Sequence, residues 1–148
     1  MSGSPAFQHL TAQNLEEHRQ VHFYLDRLTQ MLAEVDAGGP EAAARLSAEL
    51  GSLIERLTEH FAGEEQGGLY HGVLDLLPGT TVEVRRLSEQ HARLLDTLEM
   101  ARLHAQRCVP PDLPALRQDL AAFLDVLRAH EEAEDELLRR ALEVESRA

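Results

Sequence analysis

The sequence has little cysteine, few aromatic residues and no long hydrophobic run. Its single cysteine, Cys108, excludes an intrachain disulfide and is typical of a protein from a reducing compartment. No apolar run approaches the roughly 20 residues that span a bilayer. Residues 1–7 also lack the basic start and apolar stretch of a secretory signal. We therefore expect a cytoplasmic protein without a membrane segment.

Aromatic residues make up only 4% of the chain, whereas leucine, alanine, glutamate and arginine are abundant, which favours helices over sheets. The 148 residues and the apolar fraction of 43% are enough for one domain with a real core. The formal net charge of −12 argues against nucleic acid or an anionic membrane surface as a partner, because both attract basic proteins. Composition indicates neither the oligomeric state nor a protein partner.

Glycine and proline divide the chain into four long segments with apolar residues at helical spacing. The breaks are Gly38 to Pro40, Gly67 to Gly79 and Cys108 to Pro111. The predicted helices cover about residues 11–36, 41–66, 81–107 and 113–145, and a short extra helical turn is predicted over residues 69–77. Short connections after the first and third helices favour antiparallel neighbours. We therefore predict an all-α, up-down-up-down four-helix bundle over residues 11–148, preceded by a loose N-terminal arm at residues 1–10.

Four of the eight histidines lie on the predicted apolar stripes, one on each long helix: His18, His60, His91 and His130. Apolar residues stand at helical spacing beside each of them: Leu15 and Val21 bracket His18, Leu87 and Leu94 bracket His91, and Leu57 and Leu127 precede His60 and His130 by three. Leu15 and Val21 are expected to face inward. Measured from the end with the first and third connections, all four fall within about one helical turn in height. A single such histidine is usually a surface residue or a hydrogen-bonded core residue. Four buried at one level need polar partners, so the pattern predicts a site.

Two carboxylates accompany these histidines. Glu64 follows His60 by four residues and Glu134 follows His130 by four, which places each pair on one helix face. Imidazole with carboxylate suits iron, manganese or zinc, and the lack of thiolate ligands argues against a structural zinc site of the cysteine kind. Two carboxylates among four or five imidazoles suit two metal ions better than one.

A weak internal repeat relates the two halves of the chain. Aligning His60 with His130 also places Leu50, Leu57 and Glu64 on Leu120, Leu127 and Glu134. Aligning His18 with His91 places Val21 and Leu25 on Leu94 and Leu98. Common bundle patterning explains the leucines, but it does not require histidines at matching positions.

Four segments carry the histidines and glutamates in a fixed order: EHRQV at 17–21, HFAGEE at 60–65, EQH at 89–91 and HEEAE at 130–134. This ordered set resembles the hemerythrin-like, His-His-Glu cation-binding family over nearly the whole chain. The resemblance implies a non-haem di-iron centre, bridged by two glutamates and an oxo or hydroxo group (Fe-O-Fe or Fe-OH-Fe). Its ligands would be His18, His60, Glu64, His91, His130 and Glu134. Zinc and manganese are substitutes that the same donors accept.

The sequence departs from the oxygen-carrying hemerythrins on the third helix. Those proteins place two histidines four residues apart there, whereas here the position four after His91 is Leu95. The first helix instead carries His22, four after His18 and matched to Leu95 by the repeat. His22 is therefore predicted as a fifth imidazole ligand, with a hydrogen-bonding role outside the ligand set as the alternative. Glu65 and Asp135 are expected to orient ligating imidazoles or to lie at the surface, and no role is expected for His9, His71 or His104.

Several functions are compatible with such a centre. The favoured hypothesis is a binding protein that binds or senses O2 or a related small inorganic molecule. A second hypothesis is a redox enzyme acting on peroxide, O2 or nitric oxide. A third is an iron-sensing or storage module with an unnamed partner, and a fourth is a metal-free interaction bundle. The fifth imidazole discriminates the first two hypotheses, because a centre with four imidazoles leaves more open coordination positions for a substrate.

Overall fold

The computed structural model describes residues 5–107 and 113–147, which fold into helices joined by short turns. The elements are α1 (Pro5–Gln66), α2 (Leu69–Leu76), a single 3₁₀ turn (Pro78–Thr80), α3 (Thr81–Arg107) and α4 (Leu113–Arg147). This confirms the predicted all-α class and the extra turn before the third long helix. In the described ranges, no helix is both long and apolar enough to cross a membrane.

The element α1 folds back on itself. Helical structure is assigned without interruption through Gly38, Gly39 and Pro40, where a break between two helices was predicted. Side chains of its two halves nevertheless bond to each other. Arg27 bonds to Glu49, Gln20 to Arg56 and Glu17 to His60. Lower residue numbers in the first half therefore pair with higher numbers in the second half. This antiparallel order requires the chain to reverse between Arg27 and Glu49. We call residues 5–33 the first arm of α1 and residues 41–66 its second arm.

The third and fourth rods of the bundle are α3 and α4, which are also antiparallel. His104 Nδ1 lies 2.5 Å from Asp119 Oδ2 near one end, and Arg140 pairs with Glu83 near the other end at 3.3 Å. The first arm of α1 packs beside α4, where Asn14 and His22 contact Glu134 and Glu131. The second arm packs beside α3, where Glu65 contacts Ser88 and His91. The four rods therefore run up-down-up-down, as predicted. The predicted break at Cys108 to Pro111 lies outside the described residues.

Two apolar clusters fill the bundle at different heights. The larger cluster includes Leu46, Leu50, Leu57, Leu94, Leu98, Leu116, Phe123 and Leu127. The smaller cluster includes Phe7, Leu69, Val73, Val84, Leu87, Leu137 and Leu138. The first arm of α1, α3 and α4 each cross from one cluster to the other at their central histidine, whereas the second arm contributes to the larger cluster and ends just beyond His60. A polar layer therefore separates the two clusters.

The inward stripe of the first arm differs from the prediction at Leu15. This side chain is 40% exposed, whereas Thr11, Asn14 and His18 are buried. These three polar residues occupy the inward positions at helical spacing, and Leu15 lies one position away from them. The polar layer therefore extends over the first arm and displaces the expected leucine to the surface.

The N-terminal turn belongs to the bundle. The prediction placed residues 1–10 in a loose arm, but α1 begins at Pro5 and Phe7 is only 4% exposed. The Thr11 hydroxyl donates to the Phe7 carbonyl at 2.9 Å. A Cβ on Gly72 of α2 would lie 2.5 Å from the Phe7 ring. The prediction therefore fails over residues 5–10, because Phe7 packs into the smaller cluster. Residues 1–4 of the predicted arm lie outside the described residues.

The short helix α2 closes the end of the bundle beside the smaller cluster. Gly68 precedes it with a φ of 101°, a left-handed conformation that favours glycine, and turns the chain out of α1. Leu69, Tyr70 and Val73 are the buried residues of α2. The turn at Gly68 thereby brings one polar side chain, Tyr70, towards the polar layer.

Candidate metal centre

The polar layer contains two groups of side chains that can hold a metal ion. The first group is His18, His60, Glu64 and Glu134, and the second is His91, His130 and the same two glutamates. In each group the ligand-type atoms lie within 4.8 Å of one another and every residue is buried. We call these arrangements the His18/His60 position and the His91/His130 position. The structure thus brings together six of the seven predicted site residues.

Both glutamates reach both positions. One oxygen of Glu64 lies 3.2 Å from His60 Nε2 and 3.8 Å from His18 Nε2, and its other oxygen lies 3.1 Å from His91 Nε2. Glu134 Oε1 lies 3.1 Å from His18 Nε2, and its Oε2 lies 3.5 Å from His130 Nε2. Each carboxylate therefore has an oxygen directed to each position, the arrangement expected of a bridging ligand.

Unsatisfied atoms in the cluster favour a bound cation. Glu64 Oε2 and His130 Nε2 have ionic contacts, at 3.2 Å with His60 and 3.5 Å with Glu134, but no partner with hydrogen-bond geometry, although both residues are 2% exposed. A buried polar atom without a partner is costly and requires an explanation. A metal ion bonded to these atoms supplies it. The imidazole nitrogens and carboxylate oxygens suit iron, manganese or zinc, so the residues fit a pair of such ions.

The outward ring nitrogens of three histidines are held by neighbouring helices. Each Nδ1 donates to one acceptor: His60 to Glu17 at 2.7 Å, His91 to Glu65 at 2.9 Å and His130 to Gln90 at 2.8 Å. A hydrogen bond on Nδ1 fixes the ring and directs Nε2 inward, as is usual for metal-binding histidines. Glu65 therefore orients His91, which is one of the two roles expected for it, and its side chain is 39% exposed.

His18 has a looser outer environment. Its Nδ1 lies 3.6 Å from Asp135 Oδ1 and 3.7 Å from Glu131 Oε2, beyond direct hydrogen-bond distance. Burial opposes the charged form of His18, but Asp135, Glu134 and Glu64 outweigh it and raise its pKa to about 12.

The other inward groups form the same ionic network. Burial lowers the pKa of His60 and His91, but Glu64 outweighs this effect, so that both values rise above the ordinary range. Burial alone would raise the pKa of Glu64, and its contacts with Glu134 and the histidines instead hold it well below its usual range. In the metal-free protein His18, His60 and His91 are therefore protonated, and the carboxylates balance their charge. A binding metal ion replaces those protons.

Tyr70 is a site residue that sequence reasoning missed. Its hydroxyl donates to Glu134 Oε2 at 2.6 Å and lies 3.1 Å from His91 Nε2. Burial, followed by the charges of Glu134 and Glu64, raises the pKa of the hydroxyl far above its usual range. The phenol is therefore neutral in the metal-free protein, and it lies beside the His91/His130 position. The only sequence signal was helical spacing, which puts Tyr70 on the same face as Val73.

Asn14 was also missed. Its Nδ2 donates to Glu134 Oε1 at 2.8 Å and lies 3.3 Å from His18 Nε2. The residue is buried and stands four positions before His18, so its place on the inward stripe was the available signal. Asn14 and Tyr70 thus each hold one oxygen of Glu134 and fix the plane of that carboxylate.

Phe61 separates the histidines from the larger apolar cluster. Its ring stacks on His91 with centroids 4.0 Å apart and an interplanar angle of 6°. Its ring centroid also lies 5.9 Å from that of His130, in an edge-on arrangement, and 5.7 Å from that of His60, whose ring is tilted by 54°. This ring holds three imidazoles in orientation and excludes water from one side of the centre.

His22, predicted as a fifth imidazole ligand, lies in neither group. Its side chain is 46% exposed, and its Nε2 lies 2.6 Å from Glu131 Oε1. The repeat matched His22 to Leu95, and Leu95 packs against the larger apolar cluster. The exposure of His22 and its pairing with Glu131 place it at the edge of the bundle, so a shared helix face was not sufficient to make it a ligand. His9, His71 and His104, for which no role was predicted, also lie outside both groups.

Comparison with known proteins finds no matching family model, no matching curated protein and no matching solved structure. The chemistry of the centre is therefore inferred from its own side chains.

Proposed function

We propose that the chain is a hemerythrin-like protein that holds two iron ions and binds or senses O2 or a related small inorganic molecule. The observation that carries this proposal is the sharing of Glu64 and Glu134 between two pairs of buried imidazoles. The order of the motifs along the chain supports the same family. When bound, two iron ions supply the electrons and open coordination positions for reversible binding or reduction of O2.

The protein side chains have separate tasks in this proposal. The four histidines hold the ions through Nε2, while the two glutamates neutralise and bridge them. Tyr70 holds one oxygen of Glu134 through its hydroxyl proton, and its hydroxyl oxygen lies 3.1 Å from His91 Nε2, beside the His91/His130 position. Phe61 and the leucines of the larger cluster exclude water, which disfavours loss of electrons from the centre to solvent.

A small cavity supports a small ligand. It has a volume of about 170 Å³, and its lining includes Asn14, Glu64, Gly63 and Gly67. Sites for drug-sized organic molecules have volumes of roughly 300–1,000 Å³. A cavity below that range excludes drug-sized molecules, and it reaches the carboxylate of Glu64, where a small inorganic ligand can lie next to the centre.

Redox catalysis is the second candidate, and the position of His22 favours it. With His22 paired to Glu131, the centre offers four imidazoles instead of five. Fewer protein ligands leave more open positions for peroxide, O2 or nitric oxide. A stable, reversible O2 adduct that absorbs visible light would favour the binding protein, and steady turnover of peroxide would favour the enzyme.

The test is the metal content and optical spectrum of protein purified from its native host, recorded with and without O2. We expect about two iron ions per chain and a spectrum that responds reversibly to O2. The His130→Ala variant is the matched control, because it removes one ligand with an unsatisfied Nε2 and should lose iron. Dialysed wild-type protein that contains neither iron nor another transition metal would overturn the proposal.

A further inference from the structure

The two ion positions are related by the internal repeat, and so are the residues behind them. The alignment that matches His18 with His91 also matches Glu17 with Gln90. The alignment that matches His60 with His130 also matches Glu65 with Asp135. The outer partners of the histidines therefore form equivalent pairs, and any difference within a pair makes the two positions unequal.

One pair differs in charge while keeping its geometry. The Nδ1 of His60 donates to the carboxylate of Glu17 at 2.7 Å, and the Nδ1 of His130 donates to the amide oxygen of Gln90 at 2.8 Å. A carboxylate acceptor draws the N–H proton more strongly than an amide does, because the bond is charge-assisted. The imidazole of His60 is thereby the stronger donor to a metal ion.

The remaining outer partners differ in number and in distance. Behind His18 stand two carboxylates, Asp135 at 3.6 Å and Glu131 at 3.7 Å, the second of which is paired with His22. Behind His91 stands only Glu65 among the described contacts, but it bonds directly at 2.9 Å and therefore strengthens His91 more than these two strengthen His18. The count of carboxylates, with Glu17 included, still gives the His18/His60 position the more negative surroundings, which attract a divalent cation more strongly.

Two acidic grooves also end at the His18/His60 position. One has a volume of about 480 Å³ and its lining includes Glu17, Glu55, Glu59 and His60. The other has a volume of about 420 Å³ and its lining includes Glu131, Glu132, Asp135 and His18. The first groove has three carboxylates and one arginine, so it concentrates cations next to this position, whereas two arginines nearly balance the three carboxylates of the second groove.

Hydrogen bonds to the shared glutamate do not explain the difference. Asn14 donates to the Glu134 oxygen that faces His18, and Tyr70 donates to the oxygen that faces His130. At each position one oxygen of Glu134 therefore accepts a hydrogen bond, so this effect is the same for both. The outer partners and the grooves are what separate them.

We infer that the two ion positions are inequivalent, that a divalent ion fills the His18/His60 position first, and that the Glu17/Gln90 pair sets the difference. This inference rests on the metal centre proposed above and adds an order of loading to it. Glu17 and Gln90 are positioning residues, since they act on an ion only through an imidazole. Outer partners of this kind typically change metal affinity by about 10- to 100-fold.

The test is an anaerobic titration of the full-length, metal-free protein with Co²⁺, followed by its d–d absorption and by calorimetry. Wild-type protein should bind two ions in two resolved steps. Glu17→Gln should weaken the first step by about 10- to 100-fold. Gln90→Glu should tighten the second step and bring the two affinities together. Either variant tests the inference alone if the other does not fold.

Controls separate this effect from net charge and from folding. Glu16→Gln removes the same charge from the neighbouring residue, which pairs with Arg19 at the surface, and it should leave both steps unchanged. Circular dichroism of each metal-free variant checks that the helices are intact. Wild-type protein that binds no Co²⁺ would overturn the metal centre itself. Two equal steps, or a Glu17→Gln titration that matches Glu16→Gln, would overturn only the order of loading.

Discussion

Replacing Glu64 with glutamine should destabilise the metal-free protein far more than the same change at the next residue. Glu64 is 2% exposed and its carboxylate lies within 3.8 Å of the inward nitrogens of His18, His60 and His91. Glutamine keeps the size of the side chain but removes its charge. The protonated imidazoles then lose one of the two buried carboxylates that balance their charge, and only Glu134 remains between the two positions.

The expected magnitude follows from burial. Removing one partner of a buried ion pair costs about 3–5 kcal/mol, because the remaining charge has no water to stabilise it. Glu65 also contacts an imidazole, at 2.9 Å from His91, but its side chain is 39% exposed. Solvent screens that pair, and Glu65→Gln should cost no more than about 1 kcal/mol.

Urea unfolding of the chelator-treated proteins, followed by circular dichroism near pH 6, measures both changes. The free energy of unfolding should fall steeply for Glu64→Gln and slightly for Glu65→Gln. Equal losses would mean that the carboxylate of Glu64 does not hold the imidazolium charges. A Glu64→Gln protein more stable than the wild type would refute the ionic network altogether.

Four further predictions concern the same centre. Chelation should lower the melting temperature of the loaded protein, since an ion at about 100 times its dissociation constant adds about 2.7 kcal/mol; an unchanged melting curve would mean that the histidines are incidental. Tyr70→Phe should lower the unfolding free energy by about 1.5–3 kcal/mol, the usual contribution of a hydrogen bond to a charged group, as urea titration will show. Gly63→Leu should slow O2 uptake in stopped-flow measurements, whereas Gly63→Ala should not, because a Cβ at Gly63 meets nothing within 4 Å. The pKa of His18 rises from 6.5 to about 12 on folding, so its stabilisation is complete below about pH 6.5 and lost as pH rises towards 12; the metal-free protein should therefore unfold more easily in urea at about pH 9 than at pH 6.

Apolar periodicity was sufficient to predict the four rods and most of the core. The spacing of leucines fixes which face of each helix turns inward, and the histidines on those faces must then meet. Glu64 and Glu134 follow from the same reasoning, because a residue four positions further lies on the same face. These inferences depend only on the geometry of single helices, which sequence spacing determines.

What the sequence could not predict depends on contacts between elements. His22 shares a face with His18, but its partner, Glu131, lies on another helix, and spacing along one helix does not reveal that pairing. Tyr70 reaches the centre only because α2 turns back at Gly68. Phe7 is buried because α2 provides a surface for it. The environments of Tyr70 and Phe7 depend on how α2 packs, and that of His22 depends on how the first arm packs against α4. Periodicity along one helix does not determine either packing.

The contact between Phe7 and Gly72 links the first turn of the chain to the chemistry of the bundle. The Phe7 ring occupies the space that a side chain on Gly72 would need, so the N-terminal turn packs directly against the backbone of α2. Tyr70, two residues before Gly72, depends on that packing contact for its position beside Glu134. A protease that removes the first turn would remove none of the proposed metal-binding residues. It would nevertheless release α2 from its packing contact and admit water to the centre from the end of the bundle that α2 covers. Limited digestion should therefore bleach any iron chromophore before it unfolds the four rods.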